Sequence, residues 1–192
     1  DPSNADIIVA QNITQTVFTD ELAAALSASS RRLGHEARIH LKIDTGMHRQ
    51  GIAPGEAEAF ARRLSTRKGL AIEGVYSHFA EADGPDPDFT LEQLAQFRLA
   101  LEGLAAAGVR PPIRHIANSA ALMAFPEARF DMVRPGILLY GLSPNTDPNP
   151  PEGFEPVMQL CASIANIRVL EEGESVSYGR LFTARRKSRI GL

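Results

Sequence analysis

Side chains able to do chemistry are gathered in four short stretches of this sequence: Lys42 to Arg49, Ser77-His78, His115 to Ser119 and Arg134 to Ile137. Asn118-Ser119 stands before the small-residue run from Ala120, which reads as the opening of a short helix. A helix N-terminus offers unsatisfied backbone N–H groups and the positive end of a dipole, and a Ser119 hydroxyl adds a donor, so this spot suits a phosphate. The alternative is that Ser119 is simply the helix N-cap. Arg134, before Pro135-Gly136-Ile137, keeps its charge at any accessible pH and needs an anion or an acceptor wherever water is shut out. A plain salt bridge to Asp131 is the competing account. His115 is spaced either to orient Arg134 or to sit as a satisfied core histidine, and both stay open. His78, before Phe79, suits stacking on a planar cofactor or proton transfer. Lys42 and Arg49 flank Asp44-Thr45-Gly46-Met47, and locally Lys42 reads as an ion-pair partner of Asp44 rather than as a nucleophile.

Other chemistries lack their residues. The five His and the single Cys show no ligand spacing, so no metal is expected, and there is no P-loop, GxGxxG or GxSxG motif. Twenty Lys and Arg against 23 Asp and Glu give a net charge of -3, which argues against nucleic acid and anionic membrane as partners. No apolar stretch approaches the roughly 20 residues of a bilayer span. Cys161 alone forms no internal disulfide, which points to a reducing, cytoplasmic setting, and it reads as a small buried strand residue. The start Asp1-Pro2-Ser3-Asn4 has no initiator Met and no leader pattern, and is expected to be an internal cut.

The elements that must position these residues can be read from periodicity. Ile39, Leu41 and Ile43 alternate with His40, Lys42 and Asp44, which predicts a strand. Strands are also predicted at Thr14 to Phe18, Ile72 to His78, Ile113 to Ser119 and Phe130 to Gly136, most of them ending in polar groups. Between them, Leu91, Leu94, Phe97, Leu101 and Leu104 predict a helix to Ala107, opened by a Thr90-to-Gln93 capping box and stopped at Gly108. Pro54 to about Ser65 and Glu21 to Ser29 predict two more. Alternating strand and helix argue an α/β fold with a parallel sheet, and polar carboxyl ends favour part of a (β/α)8 barrel of the TIM type. About five strands are counted against the eight of a complete barrel of about 250 residues, so the remaining units are expected outside this chain. Residues 1–143 are assigned to the barrel, 144–156 to an Asn- and Pro-rich linker, and 157–192 to the start of a β domain with strands over Val157 to Leu170 and Ser175 to Ile190.

Four ordered blocks, Leu41-Lys42-Ile43-Asp44-Thr45-Gly46-Met47-His48-Arg49-Gln50-Gly51-Ile52, Ser77-His78-Phe79-Ala80-Glu81-Ala82-Asp83, His115-Ile116-Ala117-Asn118-Ser119-Ala120-Ala121 and Val133-Arg134-Pro135-Gly136-Ile137-Leu138-Leu139-Tyr140-Gly141, resemble the alanine racemase family. Val176-Ser177-Tyr178-Gly179-Arg180 is similar to the opening of that family's C-terminal β domain. The resemblance implies a cytoplasmic isomerase that uses pyridoxal 5'-phosphate, acts on alanine, supplies D-alanine for peptidoglycan and works as a homodimer. It implies Ser119, Gly136 and Ile137, with Asn118 beside them, on the cofactor phosphate, His78 against the ring and Arg134 on the ring nitrogen. Arg49 would contact the cofactor's phenolic oxygen and the region of the substrate carboxylate. Lys42, carbamylated in some members, would position Arg49, with His115 and Tyr140 in support. The family's Schiff-base Lys segment, VKADAYGHG-like, and its catalytic Tyr segment, GYADGY-like, are absent from these residues, so the chain alone is expected to be inactive. A racemase of another amino acid such as serine, a noncatalytic pyridoxal-phosphate barrel protein and a purely structural chain are the alternatives.

Overall fold

Four strands and the helices between them make up the first of two units, Asp1–Pro156, and short antiparallel pairs make up the second, Val157–Leu192. The computed structural model describes residues 1–145, 147 and 149–192; positions 146 and 148, inside the expected linker, lie outside the described residues. In the first unit β1 (Gln15–Val17), β2 (Ala37–Lys42), β3 (Leu70–Tyr76) and β4 (Ile113–His115) form one parallel sheet in chain order. The helices are α1 (Ala5–Ala10), α2 (Asp20–Leu33), α3 (Ala57–Ser65), α4 (Asp88–Ala106) and α5 (Ser119–Ala124).

Helix ends follow from local chemistry. Thr19 caps α2 by accepting from Leu22 N, and Gly34 ends it at φ 73, so this helix outlasts the predicted stop at Ser29. Arg31 and Arg32 in its last turn face the negative end of its dipole. For α4 the capping box does not form. The helix begins three residues earlier, leaving Thr90 buried inside it and Gln93 free to bond elsewhere. Gly108, at φ +78, does end it as predicted, with Val109 N reaching back to Leu104 O.

One face of the sheet is apolar. Ile39, Leu41, Ile43 and Val75 are fully buried against Leu26, Phe60, Phe97 and Leu104, and Phe130 meets Phe97 edge-on at 5.4 Å between ring centroids. The partner face carries His40, Lys42, Tyr76 and His115. Parallel pairing puts Lys42 beside Tyr76 and Tyr76 beside His115, which is the polar face the alternation predicts.

The fifth strand, expected over Phe130–Gly136, is not formed. Phe130 turns the chain at φ 44 and Pro135 offers no N–H, so the backbone-to-backbone bonds from the segment to the line of β4 are limited to Asp131 N to Arg114 O and Arg134 N to Ala117 O, both 3.0 Å. Two isolated bonds hold Arg134 in place without a ladder. In the second unit β5 (Ile167–Leu170) pairs with β8 (Ser188–Gly191) and β6 (Ser175–Val176) with β7 (Phe182–Thr183). Residues 157–166 are not strand, and Cys161 is exposed rather than buried.

Among the described residues β1 and β4 each lack an outer neighbour, and an unpaired strand edge is a template for another chain. Leu139, Tyr140 and Leu142 add exposed apolar surface to this unit. The isolated 20.8 kDa chain is therefore expected to associate at micromolar concentration, and light scattering that gives a sharp monomer peak would contradict this.

Candidate functional site

Strand ends β2, β3 and β4 deliver the candidate residues side by side. Arg134, half-buried, reaches over them: its Nη1 lies 2.5 Å from His115 Nδ1, and its Nη2 donates to Ser77 O at 2.8 Å and lies 3.1 Å from His78 Nδ1. The guanidinium also sits 5.1 Å from the centroid of the Tyr76 ring. Asp131 does not pair with it; that carboxylate takes Arg114 instead, at 2.7 Å. A guanidinium only donates, so both Nδ1 atoms must be acceptors, and each of the two rings, being neutral, carries its proton on Nε2. Burial, then the charges of Arg134 and its neighbours, pushes His78 down to about 4 and His115 to about 3. Burial also pulls Arg134 below its ordinary value. His115 is thus both an orienting group for Arg134 and a satisfied buried histidine.

Asn118, not Ser119, caps α5, its Oδ1 accepting from Ala121 N at 2.9 Å. Ser119 is then the first helical residue, and its Oγ accepts from Gly136 N at 2.9 Å and Leu138 N at 3.4 Å. The hydroxyl thereby ties the start of α5 to the Gly136-Ile137 turn. Open space surrounds the missing Cβ of Gly136. Ile137 and Tyr140 lie in the short 3-10 turn that follows, both exposed.

Lys42 is 6% exposed and makes no ion pair with Asp44. Its Nζ donates to Ile43 O at 3.0 Å and lies 5.1 Å over the Tyr76 ring. Burial lowers its pKa to about 8, with Arg134 and Arg49 adding to the shift and Asp44 opposing it. Asp44 instead shapes the loop after β2. Burial pushes its pKa up, but backbone N–H bonds from Gly46 and His48 outweigh this and hold it low. Ile43 and Ile52 close the loop as a bridge, and a Cβ on Gly51, at φ +126, would meet Asp44 N at 2.6 Å. Arg49 projects from this loop, exposed, acting on Lys42 and His78 through its charge and making no side-chain hydrogen bond among the described residues.

Three contributors were not among the sequence-predicted set. Tyr76 stacks parallel on His115 at 4.8 Å with both cations near its ring, and its hydroxyl meets Thr16 Oγ1 at 2.9 Å. The signal was its position two residues before His78. Gln93, fully buried, accepts from Ala80 N and donates to His78 O and Thr45 Oγ1, so it anchors the turn that carries His78. Thr45 in turn bonds Ser77 Oγ at 2.8 Å. Gln93 was legible only as a capping residue, because its partners lie far away in sequence. Among the described residues no group of three or more His, Cys, Asp or Glu could hold a metal, and no helix is long and apolar enough to cross a membrane.

Two family models match the chain, the alanine racemase N-terminal domain over residues 1–144 and the alanine racemase C-terminal domain over 157–192. The chain belongs to the alanine racemase family. Curated relatives named alanine racemase include those of Desulfovibrio desulfuricans, 41% identical over 98% of this chain and 51% of its own length, and Symbiobacterium thermophilum, 42% identical over 98% and 50%. Solved structures agree. Alanine racemase from Streptomyces lavendulae superposes with a TM-score of 0.84 at 33% identity, over 97% of this chain and 50% of that one, and that from Clostridium difficile with 0.82 at 33%, over 100% and 50%. The chain thus spans about half the length of the alanine racemases it matches, and its α/β architecture is part of the family's TIM-type barrel followed by the start of the C-terminal domain.

The neutral histidines make stability depend on pH. His78 and His115 lie at about 4 and about 3 when folded, against 6.5 for a free histidine side chain. Between those values the unfolded chain binds protons that the folded chain excludes, so stability is full above 6.5 and is lost as pH falls toward 4. The melting temperature should drop between pH 7 and pH 5, with His78 and His115 together contributing about two protons to the uptake on unfolding at pH 5, and His40, which burial also lowers, adding to it. Replacing His115→Gln should reduce this uptake by about one proton, and a melting temperature that is flat over the interval would contradict the assignment.

Proposed function

We propose that this chain carries the cofactor-holding part of an alanine racemase, a pyridoxal 5'-phosphate enzyme that interconverts L- and D-alanine. The observation that carries the reading is Arg134: a guanidinium drawn from water, its two terminal nitrogens met by neutral acceptors, with no carboxylate paired to it among the described residues. Such a cation suits an electron-rich neutral partner, and a pyridine nitrogen is one. The Ser119 hydroxyl and the Gly136-Ile137 turn supply the donor set of a phosphate site, with space above Gly136. The division into a barrel part over 1–143, a linker over 144–156 and a β domain from 157 is proposed on the same footing, as are a homodimer and a cytoplasmic location.

Bound pyridoxal 5'-phosphate supplies the electron-withdrawing ring that makes an amino acid's Cα proton removable. The chain's own residues would hold and orient it. Arg134 would donate a hydrogen bond to the ring nitrogen and keep its proton, since a guanidinium does not give it up. His78, tethered through Arg134 and through Gln93 on its carbonyl, would pack on the ring. Ser119, Gly136 and Ile137 would hold the phosphate, with Asn118 keeping the start of α5 in register. Arg49 would meet the phenolic oxygen and the substrate carboxylate, with Tyr140 in a supporting place. The two bases that move the Cα proton are assigned to Lys and Tyr segments that these residues do not include, so this chain alone would bind cofactor without racemising alanine.

Titrating the chain with pyridoxal 5'-phosphate and following absorbance should show saturable binding. Arg134→Ala removes a charged donor and should weaken it about 10- to 100-fold, and Ser119→Ala about 5- to 10-fold. Borohydride treatment should leave no specific covalent adduct. An adduct on Lys42 together with alanine racemisation would overturn the assignment of the bases.

Lys42 supports a further part of the reading. An amine at about 8 is partly neutral near pH 7.5, and a neutral amine adds CO2 to give a carbamate with release of one proton. The product anion would stand near two cations, Arg134 and Arg49, and so be able to position Arg49. Carbon-13 bicarbonate should give a carbamate resonance that disappears in Lys42→Ala. Its absence under saturating bicarbonate would leave Lys42 as a bare amine and refute this role.

A further inference from the structure

Behind His115 the hydrogen-bond line continues to a residue that nothing above places in the site. His115 Nε2 lies 2.9 Å from His40 Nδ1, with the rings tilted by 58°. Direction along this line is forced. Arg134 can only donate, so His115 Nδ1 accepts, its proton sits on Nε2, and that proton can only be given to His40 Nδ1. His40 must therefore be an acceptor there, neutral, with its own proton on Nε2.

Two backbone features make this contact possible. The pairing of β2 with β3 slips by one residue, Ile39 facing Ile72 but His40 facing Gly74, so Glu73 is an extra residue in β3. Without the slip, Ile72 and Gly74 would share a face; with it, Ile72 joins the apolar side while Gly74 and Tyr76 join His40 and Lys42. The missing side chain of Gly74 then makes room. A Cβ there would lie 2.6 Å from His40 Cε1 and Nε2, so any larger residue would displace the ring. Bulge and glycine together lay His40 across β3 toward His115 on β4.

We infer that His40 is a positioning residue of the proposed cofactor site: by accepting from His115 it fixes the His115 tautomer and thereby the direction of the Arg134 guanidinium. If His40 gained a proton it would become a donor at Nδ1, His115 would have to turn its proton to the Arg134 side, and two donors would face each other. Of the groups around His40, Glu73 on β3 attracts a charge, Arg134 above and Arg38 on its own strand repel one, and His115 on β4 is neutral. Burial is the largest influence and keeps the ring neutral.

This inference deepens the reading of Arg134 as the partner of the cofactor ring, and its test separates the two. Nitrogen-15 imidazole spectra of the chain, with and without pyridoxal 5'-phosphate, read the His115 tautomer directly. The expected result is a lone pair on Nδ1 and a proton on Nε2 at pH 7 to 8. His40→Leu should mix the His115 tautomers and weaken cofactor binding about fivefold, the effect of one lost hydrogen bond. His40→Gln, whose amide oxygen can accept, should restore both, and Gly74→Ala should mimic His40→Leu with the imidazole still present. A wild-type His115 protonated on Nδ1 would overturn the inference without any variant. So would His40→Leu with an unaltered tautomer and unaltered affinity. If His115 behaves as expected while Arg134→Ala leaves cofactor affinity untouched, the relay stands and the cofactor reading fails.

Discussion

A guanidinium that can only donate is the constraint from which the site is built. Arg134 reaches over the ends of β2, β3 and β4, partly out of water, and among the described residues it has no carboxylate to neutralise it. A charge in that position is costly unless each of its N–H groups finds an acceptor. Here acceptors come from a backbone carbonyl and two imidazoles, and the arrangement holds only while those imidazoles are neutral. Burial and the nearness of Arg134 act in the same direction on both rings, so the cation creates the protonation states it needs. The interaction is therefore self-consistent over the whole neutral range of pH.

Delivering three aromatic or imidazole rings to one cation takes a sheet whose two faces differ. Helices α2, α3 and α4 cover the Ile39, Leu41 and Val75 side, and this dry core fixes which way each strand faces. A strict alternation along β3 would conflict with that demand, since Ile72 belongs in the core and Tyr76 in the site. The one-residue slip at Glu73 resolves the conflict, and Glu73 itself is held by Thr14 and Arg38. A strain-prone feature is thus anchored by the same polar layer it serves.

How much of this could be read from the sequence differs by type of interaction. Strand β2, the long helix α4 and its glycine stop followed from local periodicity and turn chemistry. Arg134, Ser119 and His78 were legible because charged or polar residues at strand ends are chemically expensive. The expected strand at Phe130–Gly136 failed because an apolar-polar pattern says nothing of whether a partner edge can form a ladder, and Pro135 and the turn at Phe130 prevent one. The Thr90 capping box failed because a long-range demand won: Gln93 serves Ala80, His78 and Thr45 instead of its own helix end. Asp131 was the nearest carboxylate to Arg134 in sequence, yet Arg114 is its neighbour across the strands. His40, Tyr76 and Gly74 were invisible as a group, since only the register of β2, β3 and β4 brings them together.

The charge balance of the polar face explains why an anion would be welcome there. Arg134 and Arg49 both act on Lys42 through their charges, and the neutral histidines beside them bring no negative charge to relieve it. Asp44, the one carboxylate that counters Lys42, is committed to the backbone of Gly46 and His48. Burial is the main cause of the depressed pKa of Lys42, and the charges of Arg134 and Arg49 deepen it. An anionic ligand would reverse that pressure and raise the Lys42 pKa again. By linkage, the protonation of Lys42 and the affinity for an anion must then reinforce each other, each strengthening the other by the same factor. An anion generated on Lys42 itself would satisfy the same field from within, which places the phosphate donors, Arg49 and Lys42 under one electrostatic condition rather than three separate ones.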